Sequence, residues 1–374
     1  GIVTGIVLEF QFGTNWARYS AYVGDIFGSL LAIEATGFFF LESTMIGVWI
    51  FGWKRLSPKA HAIVMWLVAI ATCGSAFWIL TANAWMQHPV GFTIRNGRAE
   101  LTDLAAIMLN PTAIGSILHT VSAAATVGAF FVMGISAWHI KRQNQLAFFK
   151  SSFKIALVVG TIGMLGVLFG GDMLGSLLAK NQPAKLAAME SHWQTTPNAP
   201  IHLIAWPDVQ NQKNYFEYLT IPSALSILAF KNPSSPVVGL ADIPAADRPP
   251  VAIPFVNFRC MVATGIAMTL LVLWSWWRIK KLDTSAALLK ILVLFIPLPY
   301  LACNAGWIVT EVGRQPWIVH NVMRTADGVS QGLAVSQVAF SLIALTVVLA
   351  LLTVMAFGLI VHHARKGTDA AGKV

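Results

Sequence analysis

The chain has 374 residues, of which 56% are hydrophobic and 11% charged, and its mean hydropathy is +0.67. This composition excludes a soluble globular domain and marks an integral membrane protein. The formal net charge of +9 is sorted between the apolar segments, as set out below, so it is not the footprint of a nucleic-acid partner.

In chain order the hydropathy predicts eight helical spans, at about 1–13, 26–51, 60–82, 113–137, 153–178, 256–277, 287–311 and 333–361. Each is long enough to cross a bilayer except the first, which is cut short. The sequence begins inside this apolar run and without a methionine, so further N-terminal sequence is expected. No alternation of the barrel type is present, and the predicted fold is an all-α transmembrane bundle. It divides into the N-terminal spans (1–178), a long loop (179–255), three C-terminal spans (256–362) and a tail (363–374).

Of the 25 Lys and Arg residues, 14 fall in the segments 52–59, 138–154, 278–290 and the tail, with Asp283 and Asp369 the acidic residues there. If the spans alternate, all of these lie on one side, which the positive-inside rule makes cytoplasmic. The loops 14–25, 83–112, 179–255 and 312–332 are then outside. Cys73, Cys260 and Cys303 lie in or beside apolar spans without a CxxC pair, so neither a disulfide nor a zinc or iron–sulfur site is expected.

The second span carries two carboxylates, Glu34 and Glu42. A charge at mid-bilayer costs roughly 2.5–3.5 kcal/mol on insertion scales, so such groups face a protein interior, a cofactor or a proton path. Their spacing puts them about 12 Å apart along a helix and about 80° apart around it, so both can face one interior. The plainer alternative is two carboxyls neutralised by packing. Ser43, Ser75 and Asn83 are small polar groups suited to a water-lined path, or simply to bonding their own backbone.

His119 and Met261 enter from the outside to similar depth. His with Met is the axial pair of a low-spin, high-potential haem; the alternative is a hydrogen-bonded core histidine and a packing methionine. Arg259, two residues before Met261, is suited to a haem propionate. Glu311 ends the span 287–311, with Trp307 one turn earlier on the same face and Arg314 in the turn that follows. That group also reads as an interfacial belt with a capping acid. The loop 179–255 holds 11 of the 17 prolines. Within it Ala184–Trp193 is predicted helical, with Lys185 and Glu190 either functional or a solvated surface pair.

Taken together, Glu9-Phe-Gln-Phe-Gly-Thr-Asn-Trp16, Leu31-Ala-Ile-Glu through Leu41-Glu-Ser-Thr44, Trp85-Met-Gln-His-Pro-Val-Gly91 and Gly313-Arg-Gln-Pro-Trp317 resemble the large subunit of bacterial cytochrome bd quinol oxidases. So do Leu118-His-Thr-Val121, Lys185-Leu-Ala-Ala-Met-Glu190 and Phe258-Arg-Cys-Met261. The likeness runs through almost the whole chain in one order. It implies an enzyme of the bacterial inner membrane that oxidises ubiquinol or menaquinol at the outer face and reduces O2 to water. It implies two haems b and one haem d, a second related membrane subunit and small accessory subunits. By the same resemblance His119 and Met261 ligate the low-spin haem b, Glu311 serves the high-spin haem b and Glu34 faces haem d. Trp307 lies between haems, Lys185 and Glu190 bind quinol, and Glu42, Ser43 and Ser75 carry protons from the cytoplasm. The family's haem d histidine belongs to a span before the point where this sequence begins. The loop is of the short type. Two other readings compete: a haem-binding electron carrier that does not reduce O2, and a haem-free proton-coupled transporter.

Overall fold

A computed structural model describes residues 2–367. Gly1 and residues 368–374 lie outside the described residues, and with them Asp369 and Lys373 of the charge count. Among the described residues seven helices are long and apolar enough to cross a membrane: Ala17–Phe51, Pro58–Gln87, Pro111–Lys141, Leu146–Asn181, Ala252–Thr284, Ala286–Val312 and Val335–Lys366. The first of the eight expected spans is helix α1, Ile2–Thr14. Its described length reaches about 20 Å, short of the ~30 Å hydrocarbon core.

The expected loop 14–25 is mostly helical, because α2 runs Ala17–Glu34. Tyr19, Val23, Ile26 and Leu30 form its buried stripe, at the spacing that aligns one helical face. Arg18, Ser20 and Asp25 between them lower the hydropathy and hide the helix start. One turn of π-helix, Ala35–Phe39, follows Glu34 and leads into α3, Phe40–Phe51. Helix α4, Pro58–Gln87, starts with proline in its first turn and Ser57 Oγ accepting from the Ala60 amide, a combination that satisfies a free N–H without costing one. A small hairpin (β1 Phe92–Arg95, β2 Arg98–Leu101) and the short helix α5, Leu104–Met108, precede α6, Pro111–Lys141, which is capped by Asn110. Helix α7 is Leu146–Asn181.

The long loop is more ordered than its proline content suggests. It contains α8 (Pro183–Glu190), the antiparallel hairpin β3 (Ile201–Asp208) and β4 (Lys213–Ile221), and α9 (Ala224–Phe230). Helix α10, Ala252–Arg278, re-enters the bundle. Next come α11 (Ala286–Leu294) and α12 (Leu298–Val312), separated at Pro297. After β5 (Trp317–Val319), β6 (Met323–Arg324) and α13 (Thr325–Gly328), the chain ends in α14, Val335–Lys366. The three hairpins are confined to the connections, and the spans are helical apart from the break at 295–297.

Two apolar clusters hold the bundle. Toward the end that carries the basic loops, Phe130, Met133, Phe153, Leu157, Met268, Leu271, Leu288 and Leu292 pack α6, α7, α10 and α11 together. Toward the end that carries the long loop, Tyr19, Val23, Ile26, Trp85, Ile107 and Val319 join α2, α4 and the β5 strand. Helices α6 and α7 meet along a seam of small residues. A Cβ on Gly170 would lie 2.8 Å from the His119 backbone nitrogen and 2.9 Å from its Cα. Backbone therefore rests on backbone at His119, the close approach that small residues permit in membranes.

Candidate functional site

The close seam at Gly170 orients His119. Its Nδ1 lies 3.0 Å from the Val167 carbonyl. A carbonyl only accepts, so Nδ1 carries the proton and the Nε2 lone pair is available to a metal, the usual arrangement behind a ligating histidine. Met261 sits on α10, where Gly306 of α12 leaves room for its sulfur; a Cβ there would be 3.0 Å from Sδ. Helices α6 and α10 both enter from the long-loop end, and the two side chains lie about 12 Å and about 13 Å along their helices.

Glu311, near the end of α12, is held from both sides. Asn83 Nδ2 donates to its Oε1 at 2.8 Å and Arg314 Nη2 to its Oε2 at 2.5 Å. Asn83 thus belongs to the Glu311 group. Arg314 is buried and Arg259 partly so, yet Arg314 Nε and Nη1 and Arg259 Nε have no partner among the described residues. Two guanidinium groups with spare donors fit a carboxylate-bearing ligand. Trp307, one turn before Glu311, is 40% exposed.

Lys185 and Glu190 are both buried, which removes the surface-pair alternative. They do not bond each other. Lys185 Nζ donates to Gln87 Oε1 at 3.1 Å and to the Thr310 carbonyl at 2.9 Å. Gln182 Nε2 donates to the carbonyl and Oε1 of the same Gln87. Burial brings the Lys185 ammonium down to about 7; Arg314 pushes the same way and Glu311 opposes. Glu190 Oε2 accepts from Arg259 Nη2 at 2.6 Å. Burial raises its carboxyl above the usual range, against the pull of Arg259. Helix α8 is therefore fastened at one end to the residue preceding Glu311 and at the other to an arginine two positions before Met261. The Glu190 bond was not foreseen for Arg259, which the sequence suggested for a propionate.

Deeper in the bundle Ser75 Oγ donates to Glu34 Oε1 at 2.5 Å. The π turn begins immediately after Glu34, and Phe38 within it packs where a side chain on Gly74 would sit. A π turn adds one residue without advancing the helical face. The positions from Glu34 to Glu42 then count as about seven α-helical steps, and the two carboxylates come within about 20° of one face. Ser43 Oγ donates to the Phe39 carbonyl at 2.8 Å, so its hydroxyl proton stabilises the end of the π turn.

Gln87, Gln182 and Gly306 were not singled out as site residues. Gln87 does lie inside the Trp85–Gly91 motif; the other two have no signal beyond being polar or small.

The profile of the family "Cytochrome bd terminal oxidase subunit I" matches residues 1–368. The cytochrome bd ubiquinol oxidase subunit 1 of Bacillus subtilis (strain 168) is 44% identical over 381 aligned residues, covering 99% of this chain and 81% of the relative. The cytochrome bd-II ubiquinol oxidase subunit 1 of Escherichia coli (strain K12) is 37% identical, covering 99% of this chain and 85% of that one. Among solved structures, bd oxidase from Geobacillus thermodenitrificans superposes with a TM-score of 0.84 at 32% identity, over 95% of this chain and 83% of the other. With a multi-pass helical bundle and a family profile matched through all its described residues, the chain belongs to the cytochrome bd terminal oxidase subunit I family.

Proposed function

We propose that this subunit oxidises a quinol at the end of the bundle that carries the long loop and passes the electrons inward to haems that reduce O2. The relatives are named as ubiquinol oxidases, and the family is haem-containing and pairs subunit I with a subunit II. The observation that carries the reading is the attachment of α8. Its buried Lys185 reaches Thr310, beside Glu311, and its buried Glu190 reaches Arg259, beside Met261.

The residues fit haem. His119 offers a free Nε2 and Met261 a thioether for the low-spin haem b. Glu311 would serve the high-spin haem b and Glu34 haem d, with Trp307 a candidate for electron transfer among the haems. The spare donors of Arg259 and Arg314 suit propionates. The haems, when bound, supply the one-electron and oxygen chemistry.

The chain's own residues handle the protons. Glu190, whose burial raises its proton affinity, is a suitable acceptor for a quinol hydroxyl proton. Lys185, near 7, donates a hydrogen bond to a quinol oxygen while it is charged. At the other end Glu42 collects protons from the side of the basic loops, the cytoplasm by the charge rule. With Ser43 and Ser75 it passes them to Glu34 along the face aligned by the π turn. Releasing protons on one side and taking them up from the other separates charge without a pump. The basic loops and the tail are then inside and the long loop outside, with the second related subunit, small accessory subunits and lipid around the bundle.

The test compares two electron donors on the purified oxidase. Lys185→Ala and Glu190→Gln are expected to lower quinol turnover far more than oxidation of an artificial donor. Equal losses with both donors refute the quinol role. Haem spectra of the same samples separate the competing readings. A low-spin b signal without a CO-reactive band favours an electron carrier, and no haem at all leaves only the transporter.

A further inference from the structure

The long loop holds a second polar cluster, on the β3–β4 hairpin. A cavity of about 490 Å³ opens beside the end of α8, and His192, Trp193, His202, Asn214, Phe216 and Glu217 are among its lining residues. Directly after Glu190 the chain turns through Ser191 in the left-handed region, with φ 52°. Asn214 clamps this turn with all of its hydrogen-bonding capacity. Its Oδ1 accepts from Ser191 Oγ at 2.6 Å and Trp193 Nε1 at 3.1 Å. Its Nδ2 donates to the Ser191 carbonyl at 3.1 Å and to Glu217 Oε1 at 2.7 Å. Glu217 Oε2 lies 3.5 Å from His202 Nε2, and His202 Nδ1 lies 2.9 Å from Thr220 Oγ1. The His202 carbonyl accepts from Arg259 Nη2 at 3.0 Å, the same nitrogen that bonds Glu190.

The three side chains form a gradient of exposure: 6% for Glu190, 16% for His202 and 43% for Glu217. The other charged and titratable groups around them are Arg259 on α10, His192 after the turn and Lys213 at the foot of β4. Burial keeps the His192 imidazole below the usual histidine range; His202 adds to the shift, while the Val237 carbonyl and Glu217 oppose it.

We propose that His202 and Glu217 form the outlet through which protons taken up by Glu190 leave to the water outside. This rests on the role assigned to Glu190 above, as acceptor of the quinol hydroxyl proton. In the step, the O–H bond of protonated Glu190 breaks and an N–H bond forms at His202 Nε2, relayed by water in the cavity. That N–H bond then breaks to Glu217 or to bulk water, while the Glu190 carboxylate is restored beside Arg259. No electron moves in either transfer. Asn214 is a positioning residue that holds the outlet against the Glu190 turn.

The test uses the assembled oxidase in membranes, with His202→Gln, Glu217→Gln and the double variant. Quinol turnover at saturation is expected to fall by roughly ten- to a hundred-fold in the double variant, at the lower end of what a positioned proton-transfer group contributes. KM and artificial-donor oxidation are expected to stay near wild type. In His202→Ala, imidazole added outside is expected to restore quinol turnover, which a structural role would not allow. Unchanged quinol turnover and pH profile in the double variant, with Glu190→Gln still defective, overturns the outlet and leaves the acceptor role of Glu190 standing. A loss that imidazole does not rescue and that extends to the artificial donor overturns it as well. Wild-type quinol turnover in Glu190→Gln removes the acceptor role of Glu190, and the outlet with it.

Discussion

Gly170→Ala tests whether the seam between α6 and α7 sets the position of His119. The added methyl carbon would lie 2.8, 2.9 and 3.0 Å from the nitrogen, Cα and Cβ of His119. Carbon atoms in contact prefer about 3.5–4.0 Å, so the helices must separate by about 0.7–1 Å. The obstructing atoms are mostly backbone and have no rotamer into which to retreat. Overpacking of this kind costs typically ~1–3 kcal/mol, which a multi-pass bundle tolerates. A metal–ligand bond is less forgiving, with a tolerance of about 0.2 Å. The expected result is an assembled protein whose low-spin haem b spectrum is weakened or converted to high spin. The assay is the reduced-minus-oxidised spectrum, normalised to total haem b by pyridine haemochrome. Gly171→Ala is the control, because its methyl would meet the imidazole at an ordinary 3.4 Å. An unaltered low-spin spectrum in Gly170→Ala, with normal haem content, refutes the reasoning.

The depressed Lys185 pKa makes stability depend on pH. The folded protein releases this proton near pH 7, whereas the unfolded chain keeps it to about 10.4. The unfolded state thus binds more protons across that window, and stability rises with pH through it. Lys185→Met is expected to lose this increment, so its unfolding temperature rises less than wild type between pH 7 and 9; parallel curves contradict the burial argument. Glu42→Gln is expected to slow proton uptake from the basic-loop side in vesicles, and wild-type uptake excludes Glu42 from the path.

The spans were legible because hydropathy over twenty residues is a strong signal, and so was the α8 helix with its Lys185 and Glu190. The start of α2 was not, since its apolar stripe is interrupted by Arg18, Ser20 and Asp25, which lower the hydropathy average. The π turn after Glu34 has no local code; it depends on Phe38 docking at Gly74, a contact between helices. For the same reason the sequence showed that Glu34 and Glu42 can face one interior but missed their close alignment. Asn83 was noted only as a small polar group for a water-lined path, and its bond to Glu311 went unseen, because depth along a helix says nothing about which neighbour stands opposite. The β3–β4 hairpin was missed because β4 is almost wholly exposed and so lacks the alternation of a half-buried strand. His202, Asn214 and Glu217 meet only once that hairpin has formed.

The most direct test of the whole account is the optical spectrum of Met261→Leu in the assembled oxidase. Leucine fills similar volume but offers no sulfur to iron. If His119 and Met261 hold one haem between α6 and α10, the low-spin haem b signal is lost while the CO-binding haem remains. A low-spin signal identical to wild type would mean that Met261 only packs against Gly306, and the electron route from α8 would have to be drawn elsewhere.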